Sequence, residues 1–421
     1  GYDSKKDWDF VGREFEKRFG KPAQPWQLDV AEAAGFLGLN TVVITGTGAG
    51  KSTPFVLPAL KNRDVKVLLI SPLKALQDDQ AARFEALGVS SAAVNGDTWS
   101  DELQERLQGG QIQVILTSPE MCLLHNKFRA FLSDAALSNE LAMVVIDEAH
   151  CILQWGGDFR KEYGQLSCLR AFFPTHIPFL TVSATLTPKA LQDVQNNLGF
   201  EIDTAFFLNR GNDHPNITML VQNIRSPTNY QAILPHILAT DGVPTLPSQL
   251  HKTIIFVNSV KSAQHCVQWI RRQLPRRLQG CIDVLRAQRT VASRRRVMKD
   301  YREGRVRVLI ATEAAGMAFL LTHLQGCDIP DIELIIQLSV SPSLAVWIQC
   351  AGRAAHSPTL HGCAILMVEP PVFQVVKKTD GIRTEYKKTV EPALRQWIET
   401  TGCRRDVVDE YFGNPPGQQG V

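Results

Sequence analysis

The sequence predicts two α/β lobes, each a mainly parallel sheet flanked by helices, and three observations predict it. Short apolar runs alternate with charged, helix-length stretches twice along the chain, the pattern of parallel strands covered on both faces. A glycine-rich turn follows the first apolar run, and an acidic pair closes the fourth. A chain of 421 residues also exceeds what one compact core usually carries, so two domains are expected.

In the first half the apolar runs are 42–44, 67–70, 114–116, 144–146 and 179–182. Residues 1–207 are therefore assigned to an N-terminal lobe. Residues 208–252, punctuated by Gly211, Pro215, Pro227, Pro235, Gly242, Pro244 and Pro247, read as an exit strand and linker. A second alternation over 253–257, 306–310, 332–337 and 362–367 places the C-terminal lobe at 253–395. Ligands of such sheets lie beyond the carboxyl ends of the strands, so nucleotide between the lobes and nucleic acid across their tops is expected.

The first run, Thr41–Ile44, leads into Gly46-Thr47-Gly48-Ala49-Gly50-Lys51-Ser52 and then the helix-forming stretch from Thr53. A strand, a glycine-rich turn and a helix start come in the order of a phosphate cradle, because glycines let backbone N–H groups approach the oxygens. Thr45 stands where the strict pattern has glycine, so the motif is the relaxed form. Lys51 would reach the terminal phosphates and Ser52 a magnesium ion. About a hundred residues on, Val144-Val145-Ile146 reads as a buried strand ending in Asp147-Glu148-Ala149-His150. Asp147 is placed to hold phosphate-bound Mg2+ and Glu148 to polarise the attacking water.

The ordered series Trp26-Gln27, Gly48–Ser52, Ser71–Gln80, Ser118-Pro119-Glu120, Asp147–His150, Ser183-Ala184-Thr185, Thr312-Glu313 and Gln349–Arg353 resembles the motif set of a superfamily 2 helicase with RecA-like lobes. The run Cys151 to Arg160 resembles the aromatic-rich loop of RecQ-like DNA helicases. The resemblance spans roughly residues 10 to 413 and is more specific in the first half than in the second.

From this resemblance follow further roles. Gln27 is expected to read adenine, a helix-start surface glutamine being the alternative. His150 is expected to relay lobe position to the acidic pair rather than to bind metal. Ser71, Pro72, Leu73, Lys74, Ser118, Glu120, Asn258 and Thr312 are expected to contact nucleic acid. Trp155 and Phe159 would stack on unpaired bases and Arg160 would add phosphate or cation–π contact, unless the aromatics pack beneath the lobe instead. The resemblance makes Asp328 the equivalent of the family's cleft-closing carboxylate, displaced by an insertion over 319–327. Where the family has Gly-Arg-Ala-Gly-Arg, this chain has Gly352-Arg353-Ala354-Ala355-His356. Arg353 is retained as a phosphate contact, whereas His356 lacks the forked, permanently charged donor of an arginine finger.

Residues 396–421 resemble the start of the RecQ zinc-binding subdomain, with Cys403 in the place of its first ligand. One cysteine cannot assemble a structural zinc site, so no zinc and no winged-helix module is expected in this chain.

Composition sets outer bounds. With 44% hydrophobic and 21% charged residues this is an ordinary globular chain, and no apolar run approaches the roughly 20 residues of a membrane helix. Nine cysteines without paired spacing suit a reducing compartment. The net charge of +3 announces nothing, but thirteen Lys and Arg residues crowd positions 271–307 against Asp283, Asp300 and Glu303. That segment fits backbone-phosphate contact and a solvated helical face equally well.

The reading is an ATP- and Mg2+-dependent DNA helicase core, moving 3′ to 5′ by resemblance, with weakened hydrolysis and single-stranded or forked DNA as partner. The alternative is a hydrolysis-impaired scaffold that binds nucleotide and DNA. The resemblance implies a nuclear protein if the source is eukaryotic, and a cytoplasmic one otherwise.

Overall fold

The computed structural model describes residues 4–72, 74–151, 165, 167–199, 202–286, 289–312, 329–355, 357, 359–379 and 383–416. Leu73, Trp155, Phe159, Arg160, Asp328 and His356 lie outside the described residues, as does the insertion over 319–327. The chain divides between Asn212 and Asp213 into two compact units.

The first unit holds β1 (Thr41–Ile44), β2 (Lys66–Ile70), β3 (Ser91–Val94), β4 (Val114–Thr117), β5 (Leu141–Ile146), β6 (Phe179–Ser183) and β7 (Phe206–Asn209). They form one sheet in the order β3-β4-β2-β5-β6-β1-β7, and every pairing is parallel. Strand side chains point alternately to the two faces, and both faces are covered. Val144 and Ile146 thus enter one apolar cluster, and Met143 and Val145 the other. This is why β5 reads as an unbroken apolar run. Truncating such a residue, as in Leu69→Ala, should cost about 2–5 kcal/mol.

The second unit holds β8 (Ile217–Asn223), β9 (Thr253–Val257), β10 (Ile282–Leu285), β11 (Val308–Thr312), β12 (Leu334–Leu338) and β13 (Gly362–Val368), again all parallel, in the order β10-β11-β9-β12-β13-β8. A separate antiparallel hairpin pairs β14 (Val375–Thr379) with β15 (Arg383–Tyr386). At the amino ends of the strands, fully buried Lys252 places Nζ 2.7 Å from Asp331, while Glu333 accepts from Arg307 at 3.0 Å and lies 2.6 Å from His251.

The segment 208–252 is therefore not a plain exit strand and linker. Its first residues belong to β7, and Ile217–Asn223 pairs along its whole length with β13. Flanking prolines and glycines hid a strand that borders the second sheet. Residues 396–411 likewise pack into the second unit. Trp397 is fully buried 5.6 Å from Trp347, and Arg405 donates to the carbonyl oxygens of His214 and Ile217 at 3.2 and 2.9 Å. Cys403 is exposed. Among the described residues no helix is long and apolar enough to cross a membrane.

Candidate functional site

In the first unit β6 lies between β1 and β5, so the glycine-rich loop after β1 and the acidic pair after β5 end two strands apart with Ser183 between them. The backbone ties all three ends. Thr45 N donates to Ser183 O at 3.2 Å, and Ala149 N donates to Val182 O at 3.1 Å. Gly46 N donates to Gly211 O at 3.1 Å, which anchors the loop from the other side.

The loop needs two of its glycines. Gly48 and Gly50 have φ of 80° and 82°, a left-handed conformation that glycine adopts without a Cβ penalty. A Cβ on Gly50 would also stand 2.6 Å from Gln27 Nε2. Helix 53–61 begins directly after the loop, with Ser52 as its N-cap. The Ser52 hydroxyl makes no capping hydrogen bond, so it is available to a ligand.

Lys51 Nζ lies 3.8 Å from Glu148 Oε1, and Glu148 is fully buried. The Glu148 backbone has φ of 52°, a conformation that costs a non-glycine residue about 1–3 kcal/mol and recurs at functional sites. That kink turns the carboxylate out of the strand direction and toward Lys51. Asp147 Oδ1 accepts from Glu148 N at 2.9 Å. Burial, and then the neighbouring Glu148 charge, push the Asp147 carboxyl up to about 7, against the opposing pull of Lys51. Two buried carboxylates facing one ammonium make a site that favours added positive charge. Asp147 with the Ser52 hydroxyl is thus a donor set suited to Mg2+, a hard cation bound by few protein oxygens.

His150 Nδ1 is 3.2 Å from Glu148 Oε2 and 3.0 Å from Ser183 Oγ. With Nδ1 protonated the ring donates to Ser183 Oγ, and Glu148 Oε2 stands within ion-pairing distance of the same nitrogen. Ser183 Oγ also accepts from Thr185 N at 3.3 Å. One imidazole therefore lies between the acidic pair and the Ser183-Ala184-Thr185 turn.

Gln27 is 5% exposed and its amide is engaged: Nε2 donates to Gly50 O at 3.0 Å, and Oε1 accepts from Gln24 N at 2.8 Å. Its place against the phosphate loop fits base reading, although a base must compete for the amide. Arg210, which the sequence did not single out, donates to Gln24 Oε1 at 3.1 Å and lies 5.1 Å from the Trp26 ring centre. Nearly two hundred residues separate these partners, and no local pattern announces them.

A second depression of about 460 Å³ opens at the carboxyl ends of β2, β3 and β4, lined by Pro72, Lys74, Ser118 and Glu120 together with Gly96, Met121, Leu124 and His125. Four residues expected on a nucleic-acid path thus share one groove. Ser71 is a correction, because it is fully buried and its carbonyl accepts from Gln77 Nε2 at 3.0 Å. It supports the groove from below. Ser118 lines the groove but also caps helix 119–124 by accepting from Met121 N at 3.3 Å. Gln77 and Gln80 were left without roles by the sequence. Gln77 also accepts from Asn95 Nδ2 at 3.3 Å, and the Gln80 amide helps to offset the rise of the Asp147 carboxyl.

The second unit carries Asn258, Thr312 and Arg353. Asn258 and Thr312 lie at the carboxyl ends of β9 and β11, and Asn258 Nδ2 donates to Val340 O at 3.2 Å. Arg353 is 3% exposed in the turn after helix 344–351.

A phosphate loop, an acidic pair and a strand-end groove on one parallel sheet, followed by a second such sheet, define a nucleotide-dependent helicase core with RecA-like units. The DEAD/DEAH box helicase model matches residues 24–194, and the helicase conserved C-terminal domain matches residues 230–357. Over nine tenths of its length the chain is similar to RecQ-like superfamily 2 helicases. It is 28% identical over 395 residues to the ATP-dependent DNA helicase RecQ of Haemophilus influenzae, covering 92% of this chain and 58% of that protein. With the RecQ-like DNA helicase blm-1 of Caenorhabditis elegans it shares 26% identity over 396 residues, covering 91% of this chain and 38% of the relative. The chain therefore spans less than two thirds of the length of these curated relatives. Among solved structures, S. cerevisiae Dbp5 bound to RNA and ADP BeF3 has the same fold, with a TM-score of 0.66 at 18% identity over 97% of this chain and 94% of that one. The DUF1998 helicase MrfA bound to DNA gives a TM-score of 0.65 at 19% identity over 86% and 50%.

Proposed function

We propose that this chain is the motor core of an ATP-dependent DNA helicase, which binds single-stranded or forked DNA, moves 3′ to 5′ and hydrolyses ATP slowly. The observation that carries this reading is the buried set of Asp147, Glu148, His150 and Ser183 facing the Lys51 ammonium. Lys51 would bind the terminal phosphates, and Asp147 with Ser52 would hold Mg2+, which when bound screens the phosphate charge. Glu148 would orient and polarise the attacking water. His150 passes the state of the Ser183 turn to that carboxylate.

Slow hydrolysis is argued from residue type. An arginine finger is worth about 10³–10⁵ in rate, and His356 offers neither its reach nor its fixed charge. The same substitution supports the second reading, a nucleotide- and DNA-binding scaffold that does not turn over. His356→Arg separates them. Under the motor reading it raises DNA-stimulated phosphate release, whereas a scaffold stays silent in both forms. Unwinding of partial duplexes with 3′ or 5′ single-stranded tails tests the direction.

A further inference from the structure

The basic segment at 271–307 remains unassigned by this function, and the structure sorts its charges. It carries thirteen Lys and Arg against three Asp and Glu, an excess of ten, in a chain of net charge +3. The rest of the protein is consequently net negative, so the concentration of cations here is not a matter of bulk composition.

Several of these cations have structural duties. Arg271 donates to Ile282 O at 3.1 Å, Arg289 pairs with Asp283 at 2.8 Å, Arg305 pairs with Asp300 and Glu303, and Arg307 is held by Glu333 and Leu250 O. Arg272, Arg276, Arg277 and Arg295 are exposed and have no ion-pair partner among the described residues. Arg296 and Lys299, 85% and 70% exposed, reach only Asp300 and Glu303, at 3.8 and 4.0 Å within their own helix. Such pairs hold a side chain weakly.

These six residues flank one element. Helices 260–273 and 291–302 both pack on β10, a border strand of the second sheet, and Arg276 and Arg277 stand just before that strand. Lys299 and Arg302 suit the last turn of helix 291–302, but its first half is arranged against its own electrostatics. It has no acidic residue in the first turn, three successive arginines follow, and Arg295 and Lys299 are like charges one turn apart. An arrangement that disfavours the free helix is stabilised by a bound polyanion.

We propose that this face of the second unit binds the sugar-phosphate backbone of duplex DNA, as a site additional to the strand-end groove. Single strands are held by stacking on aromatic side chains, and the only aromatic residue in the segment, Tyr301, is fully buried. A protein partner needs apolar anchors, and among the described residues no exposed large hydrophobic side chain falls between 271 and 307. What the face offers is a helix-borne row of cations, Arg295 and Lys299 being about 6 Å apart along the axis, which matches the fixed phosphate row of a duplex.

The test measures binding of a blunt duplex of about 20 base pairs and of a short single strand across a salt series. It compares the wild type with Arg295→Glu/Lys299→Glu and Arg276→Glu/Arg277→Glu. The expected result is a fall in duplex affinity of about tenfold or more, with the log–log salt slope reduced by about 0.9 for each phosphate that is no longer neutralised. Single-strand affinity and single-strand-stimulated ATPase should stay within about twofold, a margin well inside one decade of affinity. If a charge reversal lowers thermal stability, Arg295→Gln/Lys299→Gln carries the comparison. Unchanged duplex affinity, absence of duplex binding by the wild type, or displacement of duplex by polyglutamate at equal charge overturns the proposal. An equal fall for both DNA forms also overturns it, by assigning the face to the single-strand path. Failure of ATP hydrolysis alone bears on the motor reading and leaves this site standing.

Discussion

The imidazole Nδ1 of His150 stands 3.0 Å from the hydroxyl oxygen of Ser183, one strand away across the sheet. The same nitrogen is 3.2 Å from Glu148 Oε2, the carboxylate proposed to activate water, so on that reading movement of the Ser183 turn reaches it.

Ser183→Ala should therefore lower DNA-stimulated kcat about tenfold while leaving the KM for ATP nearly unchanged, because the contact acts on Glu148 positioning rather than on nucleotide binding. Steady-state kinetics with saturating DNA reads this split. A rise in KM at constant kcat would mean that Ser183 serves binding instead.

A pH dependence follows from Asp147. Its carboxyl is raised from 3.8 to about 7 in the folded protein, so between these values the native state binds more protons than the unfolded state. Stability of the nucleotide-free protein then falls as pH rises through this window, and Mg2+ must displace a proton below about 7. Asp147→Asn should flatten the wild-type trend of melting temperature against pH. Parallel trends in the two proteins would remove this assignment.

Gln27→Ala should raise the KM for ATP about tenfold and narrow the preference for ATP over GTP, the effect of removing one hydrogen-bonded recognition group. It also removes the hydrogen bonds to Gly50 and Gln24. Comparing base preference with thermal stability separates the two effects, since a purely structural role lowers stability and leaves the preference intact.

In the groove, Lys74 is half-exposed and salt-bridged to exposed Asp97 at 2.9 Å, its one such partner among the described residues. Lys74→Ala should weaken single-strand binding severalfold and reduce the salt slope by about 0.7, the value for one phosphate contact. An unchanged slope would place the strand elsewhere.

Much of the first unit was legible because its strands are buried on both faces and stand out as apolar runs such as Val67–Ile70. The phosphate loop and the acidic pair were equally legible, since their chemistry is local in sequence. β3 was not, because Ser91-Ala92-Ala93-Val94 is short and built of small residues. β8 was hidden by the prolines and glycines around it, although Ile217, Met219, Leu220 and Val221 make an apolar run of their own. Partners brought together only by the fold left no signal at all, as with Gln24 and Arg210 or Gln77 and Asn95.

The central claim, that the Lys51–Glu148 site turns over ATP in response to DNA, is tested most directly by phosphate release with and without single-stranded DNA. The measurement compares the wild type with Lys51→Ala and Glu148→Gln. The predicted result is DNA-stimulated release by the wild type, loss of ATP binding in Lys51→Ala, and retained binding with turnover reduced by about 10²–10⁴ in Glu148→Gln. Full hydrolysis by Glu148→Gln, or a wild type that binds ATP and DNA yet releases no phosphate, would contradict it.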